Sequence, residues 1–172
     1  MIRFLTIMSS RWTRLVLVLL IVISLQTTLF AEMRPFGVAA QLVLLFAVVS
    51  GSIYGSTIGA LTGLIAGLMY DFVLSTPVGL TSLALGLAGA TAGLLIYFFR
   101  EPTWWMRLIT IGIVSLIGEF YYPLAQTVVG LDGWLQWRII KVAIIVAGCN
   151  LLLSPLVILV CRWTLAERKL SV

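Results

Sequence analysis

Apolar residues run through this chain in long stretches separated by short clusters of charge, proline and small polar residues. Six segments stand out, at 13–30, 36–53, 55–74, 77–99, 104–124 and 139–161. Each comes close to the ~20 residues a helix needs to cross the ~30 Å hydrocarbon layer of a bilayer. The pattern predicts an all-α integral membrane protein with six transmembrane helices in one domain, 1–172. The boundary before the fourth segment is clear, because Ser75-Thr76-Pro77 supplies capping hydroxyls and then a proline suited to a first helical position. At Ser50-Gly51-Ser52-Ile53-Tyr54-Gly55 no charge interrupts the run and only small residues suggest a turn, so five helices is the alternative count.

Within the third segment, Gly55, Gly59, Gly63 and Gly67 recur every fourth residue, and the same step lands on Asp71. At ~3.6 residues per turn, a four-residue step keeps these positions on one slowly drifting helix face. In water each glycine would cost roughly 1 kcal/mol relative to alanine. In lipid, small residues at this spacing let two helix backbones approach closely. Two uses follow: an internal seam, for which the fourth segment with Gly79, Gly86, Gly89 and Gly93 is the natural partner, or a groove that receives another protein's helix.

Composition narrows the class. Hydrophobic residues make up 62% of the 172 and charged residues 10%, with mean hydropathy +1.17, against ~45–50% and ~25% in soluble domains. Only short connectors remain once the apolar segments are subtracted, which leaves no room for a globular catalytic domain outside the bilayer. The formal charge of +5 gathers at segment ends rather than along a polar face, so it reads as topology signal and lipid-headgroup contact, not as nucleic-acid binding.

With six helices and a cytoplasmic N-terminus, Arg3, Arg11, Arg14, Arg100, Arg107, Arg162, Arg168 and Lys169 lie inside, and Arg34, Arg138 and Lys141 outside. That asymmetry satisfies the positive-inside tendency. Trp12, Trp104, Trp105 and Trp163 then mark the inner interface, with Trp134 and Trp137 on the outer one. The basic N-terminus superficially resembles a signal peptide. Because Ala31-Glu32-Met33-Arg34-Pro35 leads straight into more membrane-grade sequence, an uncleaved first helix is expected. Cys149 and Cys161 fall in one helix, ~18 Å apart along its axis, too far for a disulfide.

Reactive chemistry has little to stand on. The chain has no histidine, and no CxxC, HExxH, GxSxG or P-loop pattern, so no cofactor or metal is expected. Asp71 and Glu119 are the acidic candidates, toward the outer ends of the third and fifth segments, with Arg138 and Lys141 opening the sixth on the same side. A charge in hydrocarbon costs ~2.5–3.5 kcal/mol on insertion scales, so such groups pair, cap a helix or face water. Pairing of Asp71 or Glu119 with Lys141 is the preferred expectation, and capping of the fourth helix by Asp71 the competing one. Gln41 and Asn150 read as interhelical hydrogen-bonding groups. The stretch from Leu131 to Arg138 reads as either a short interfacial segment or an ordinary loop.

The ladder Gly55 to Gly67, its continuation to Asp71, and the following Pro77-Val78-Gly79-Leu80 together resemble the central signature of the MreD family of rod shape-determining membrane proteins, in which a GxxxGxxxGLxxD helix precedes a Pro-x-Gly helix start. The likeness covers the middle third of the chain closely. Met69-Tyr70 departs from the usual aliphatic pair, and Gln41, Glu119 and Asn150 match no family motif. The resemblance implies a non-enzymatic subunit of the bacterial cell-elongation complex in the inner membrane. Its partners there would be MreC and, through it, MreB, RodA and a penicillin-binding transpeptidase. The chain also looks like the small six-helix substrate-binding subunits of energy-coupling-factor vitamin transporters, which makes a solute carrier the alternative. Their Ala-x-x-x-Ala face is missing from the first segment, although Ala88 and Ala92 form one in the fourth.

Overall fold

The computed structural model describes residues 11–33, 37–74, 77–99, 102–130 and 137–166. These form α1 (Arg11–Thr27), the single turn α2 (Leu29–Glu32), α3 (Leu42–Tyr54), α4 (Ser56–Leu74), α5 (Leu80–Tyr97), α6 (Trp104–Val128) and α7 (Trp137–Leu165), and no strand occurs among the described residues. Five stretches are long and apolar enough to cross a membrane: Arg11–Glu32, Ser56–Leu74, Leu80–Tyr97, Trp104–Val128 and Arg138–Leu165. The described residues are therefore all-helical apart from connectors, with five helical stretches of membrane-spanning length among them.

The second apolar segment departs from expectation. Instead of a full span over 36–53, a helix of 13 residues begins only at Leu42, about 20 Å long at ~1.5 Å per residue. It is the central element, with every residue from Leu42 to Ser52 buried. A helix that is apolar all round has no face to give to water and settles in the middle of a bundle. The late start has a local cause: the Gln26 side-chain oxygen accepts the Val43 N–H at 2.8 Å and so fixes the first turn of α3, while residues 38–41 stay non-helical. At its other end a single residue, Gly55, separates α3 from α4. Its φ of +91° is left-handed backbone that glycine enters without a side-chain clash, and its N–H closes α3 on the Gly51 carbonyl at 3.0 Å.

Long-range hydrogen bonds fix how the helices run. At one end of the bundle, here called proximal, Arg14 in the first turn of α1 donates to the carbonyls of Trp163 and Ala166 at 2.9 and 2.8 Å. Its guanidinium also lies 5.9 Å from the Trp163 ring centre. The Tyr54 hydroxyl, at the close of α3, donates to the Arg162 carbonyl at 3.4 Å. At the distal end, Gln26 late in α1 reaches both the start of α3 and the Tyr70 hydroxyl late in α4, the latter at 3.0 Å. Successive helices alternate in direction, and residues 11 and 166 lie at the same end.

The core is an apolar cluster in which Phe46, Leu44, Leu45, Val48 and Val49 of α3 pack with Leu15 and Leu19 of α1, Ala88 and Ala92 of α5, and Ile111 and Val114 of α6. Between α4 and α5 the packing is backbone on backbone, and glycine makes it possible.

Candidate functional site

The glycine face is an internal seam. A Cβ added at Gly59 would lie under 3.0 Å from the Gly89 carbonyl, one at Gly63 would strike the Leu85 carbonyl, and one at Gly67 would strike the backbone of Ser82. In the other direction, Gly89 would strike Gly59, and Gly93 would strike Ser56. No flexible side-chain end can give way at these contacts. The groove is thus occupied by the chain's own α5, which leaves no open trough for a foreign helix along this face. Gly55 is not a rung of the ladder but the link before it, with open space where its Cβ would point. Gly51 joins the seam instead, facing the Gly89 carbonyl. Hydroxyls stitch the same region, with Ser50 bonded to Thr62 and Ser82 donating to the Leu64 carbonyl at 2.8 Å.

Asp71, 1% exposed, ends the seam. Its Oδ2 accepts the Gly79 N–H at 2.8 Å, and Gly79, at φ +99°, is the residue on which α5 begins. The carboxylate therefore caps the entry to α5, which agrees with the competing expectation rather than with a pairing to Lys141. The preceding Ser75 and Thr76, expected to supply capping hydroxyls, lie outside the described residues, while Pro77 is exposed and its carbonyl accepts the Leu80 N–H at 3.2 Å. Joined in this way, the glycine ladder and the Pro-x-Gly start make one structural joint, with Asp71 as its pin.

Glu119 behaves differently. Its Oε2 accepts from the Gln41 side-chain amide at 3.0 Å, while its buried Oε1 has no partner. The expected ion pair with Lys141 does not form. Lys141 and Arg138 are exposed, and neither makes an ion pair among the described residues. All four side chains nevertheless line one cavity of about 1040 Å³ at the distal end, walled also by Gln26, Tyr70, Tyr122 and Gln126, with Leu44, Leu85, Val142 and Ile145 as its apolar part. The non-helical stretch 38–41 borders it, because α3 stops short of the end of the bundle.

Asn150 lies away from this cavity, fully buried between α6 and α7, where its amide donates to the Ser115 hydroxyl at 3.2 Å. That is the interhelical role expected of it. Gln41, by contrast, belongs to the cavity. Gln26 was missed, although it holds three elements together. The only sequence signal for it is an amide inside the otherwise apolar first segment, four residues before its end. Trp134 and residues 131–136, read as an interfacial segment or loop, lie outside the described residues.

A metal site has no basis here: no group of three or more His, Cys, Asp or Glu side chains converges among the described residues. Glu119 with its amide neighbours offers hydrogen-bond acceptors and donors in a semi-polar chamber, and the two nearby cations offer charge. That arrangement suits the binding of a polar, charged group. Compared with known proteins, the chain matches no family model, no curated protein and no solved structure.

Proposed function

We propose that this chain is a non-enzymatic inner-membrane subunit of the bacterial cell-elongation complex, holding an MreC-like partner near the peptidoglycan-synthesis machinery. The observation that carries the reading is the joint itself. The two halves of the sequence signature that resembles MreD, the ladder ending in Asp71 and the Pro77-Val78-Gly79 start, meet at the Gly79 N–H to Asp71 contact. Residues that do nothing but set the angle and closeness of two helices suit a protein that works through its shape. The partner binds elsewhere than the seam, since α5 fills it.

Six crossings with both ends in the cytoplasm complete the proposal. Residues 11 and 166 share one end of the bundle, which favours an even number of crossings, and Arg14 and Arg162 at that end favour the cytoplasm. Reporter fusions after Arg14 and after Arg162 are expected to report cytoplasm, and one within 127–135 periplasm; a periplasmic C-terminal fusion would overturn the topology.

The functional test is co-purification. A tagged chain should bring down an MreC-like protein from detergent extract, and cells depleted of the chain should round up. A second reading, a substrate-binding subunit of a small-solute carrier, is favoured by the distal cavity, whose volume exceeds the ~300–1,000 Å³ usual for ligand pockets. Co-purification with a transporter ATPase module, together with normal shape in depleted cells, would select it.

A further inference from the structure

Charges within a membrane bundle are expected to find one another, because each left alone is costly. Around the distal cavity they do not. Glu119 keeps an unpartnered buried oxygen, and Arg138 and Lys141 make no ion pair, although all three line the same chamber. Arg138 and Lys141 are three residues apart on α7 and so share a face. Glu119 stands on α6, steadied from the far side by Gln41. Pro123, one turn later and also lining the cavity, has no N–H to give the Glu119 carbonyl. That carbonyl therefore lacks the donor it would normally find one turn on. The acceptor belongs to α6 and the two cationic donors to α7, and all three line one cavity of about 1040 Å³.

We propose that this cavity binds a zwitterion carrying a primary ammonium and a phosphate, the chemistry of a phosphoethanolamine headgroup. The ammonium lies against Glu119 Oε1 and the phosphate between Arg138 and Lys141. One molecule then answers both the orphaned oxygen and the two cations that line the same cavity. Charge-assisted hydrogen bonds of this kind are about twice as strong as neutral ones. The proposal concerns the occupant of the cavity alone and holds whether or not the chain belongs to the cell-elongation complex.

The test uses the full-length protein, purified in detergent and stripped of lipid, with binding followed by native mass spectrometry. Phosphatidylethanolamine is expected to bind about tenfold more tightly than phosphatidylcholine of the same acyl chains, because three N-methyl groups leave no N–H for Glu119. E119Q keeps a side-chain acceptor for Gln41 and should erase that preference without changing the melting temperature. Free O-phosphoethanolamine separates the two sources of the headgroup. Displacement of the lipid at comparable concentration identifies a soluble ligand, and failure to displace identifies the membrane lipid.

Equal affinity for the two lipids with no binding of O-phosphoethanolamine, or a preference that survives in E119Q, would overturn the proposal. Should E119Q fail to fold, the double variant R138Q/K141Q, altered at two exposed positions, tests the phosphate end. It is expected to weaken both lipids about tenfold, and unchanged binding overturns the proposal equally.

Discussion

The seam between α4 and α5 and the cavity at the distal end border each other, yet they are finished to different degrees. In the seam every surface is matched: glycine meets carbonyl, Ser82 meets the Leu64 carbonyl, and Asp71 meets the Gly79 N–H. In the cavity, polar groups are brought near one another and left incomplete, with Glu119 holding only one of its two carboxylate oxygens to a partner. The contrast separates what the fold needs from what it can lend to another molecule. A region with no slack tolerates no change and accepts no guest, whereas one with unspent hydrogen-bonding capacity does both.

Filling the seam should break it most severely. Gly63→Leu places a Cβ against the Leu85 carbonyl, backbone that cannot rotate away. The penalty is expected at or above the ~1–3 kcal/mol usual for overpacking, and folded, monodisperse protein should be lost on size-exclusion chromatography. Recovery of well-folded Gly63→Leu would show that α4 and α5 can part, and would reopen the face to a partner helix.

Removing the pin comes next. Asp71→Leu takes the charged acceptor from the half-buried Gly79 N–H, a loss of roughly 1–3 kcal/mol, visible as a lower melting temperature in detergent. A second change, Lys141→Leu, is expected to restore nothing, because Lys141 does not hold Asp71. Rescue by that double variant would reinstate the ion pair.

The first segment's contribution is smaller. Gln26→Leu removes two neutral hydrogen bonds, to the Val43 N–H and the Tyr70 hydroxyl, worth about 1 kcal/mol each against a charged one at Asp71, and its melting curve should fall between those of Asp71→Leu and the parent. A shift as large as that of Asp71→Leu would mean that the start of α3 matters as much as the seam.

On the cavity side, Glu119→Gln is expected to leave the stability within about 0.5 kcal/mol of the parent, the range of substitutions that break no structural feature. A large loss there would place Glu119 among the structural groups and dissolve the contrast. The smallest effect of all belongs to Gly148→Ala, a helical glycine whose added Cβ would meet nothing within 4 Å. It should be neutral or slightly stabilising, and it calibrates the glycines of the seam.

Much of this bundle was legible because hydrophobicity at membrane-spanning length is a coarse and strong signal. The helices α4, α5, α6 and α7 fall within a few residues of their expected positions. The glycine step named both faces of the seam, since a side-chain-free surface has few uses other than close approach. What escaped was decided by hydrogen bonds between distant segments. The shortened α3 depends on Gln26, 17 residues upstream of Val43, and periodicity carries no record of such a bond. Glu119 was expected to seek the opposite charge on Lys141 and instead took the amide of Gln41 from α3's entry, 78 residues away. Gly55 was counted as a rung because spacing alone cannot tell a face from a hinge; its positive φ is a property of the backbone, not of the pattern.

That hinge bears on how the protein enters the membrane at all. Before folding, residues 42–70 form a stretch with no charged residue, longer than the ~20 residues needed for a single crossing. Only the turn at Gly55 divides it into two opposed helices, and α3 by itself is too short to anchor. On the proposed six-crossing topology the two enter together as a hairpin. A residue that resists left-handed backbone, such as leucine at 55, would favour one continuous helix and send every later segment in with its sides exchanged. A C-terminal reporter on Gly55→Leu, read against the parent, should therefore show a fraction of molecules in the opposite orientation; a parental orientation throughout would mean that later segments, rather than this single glycine, decide which way the chain is threaded.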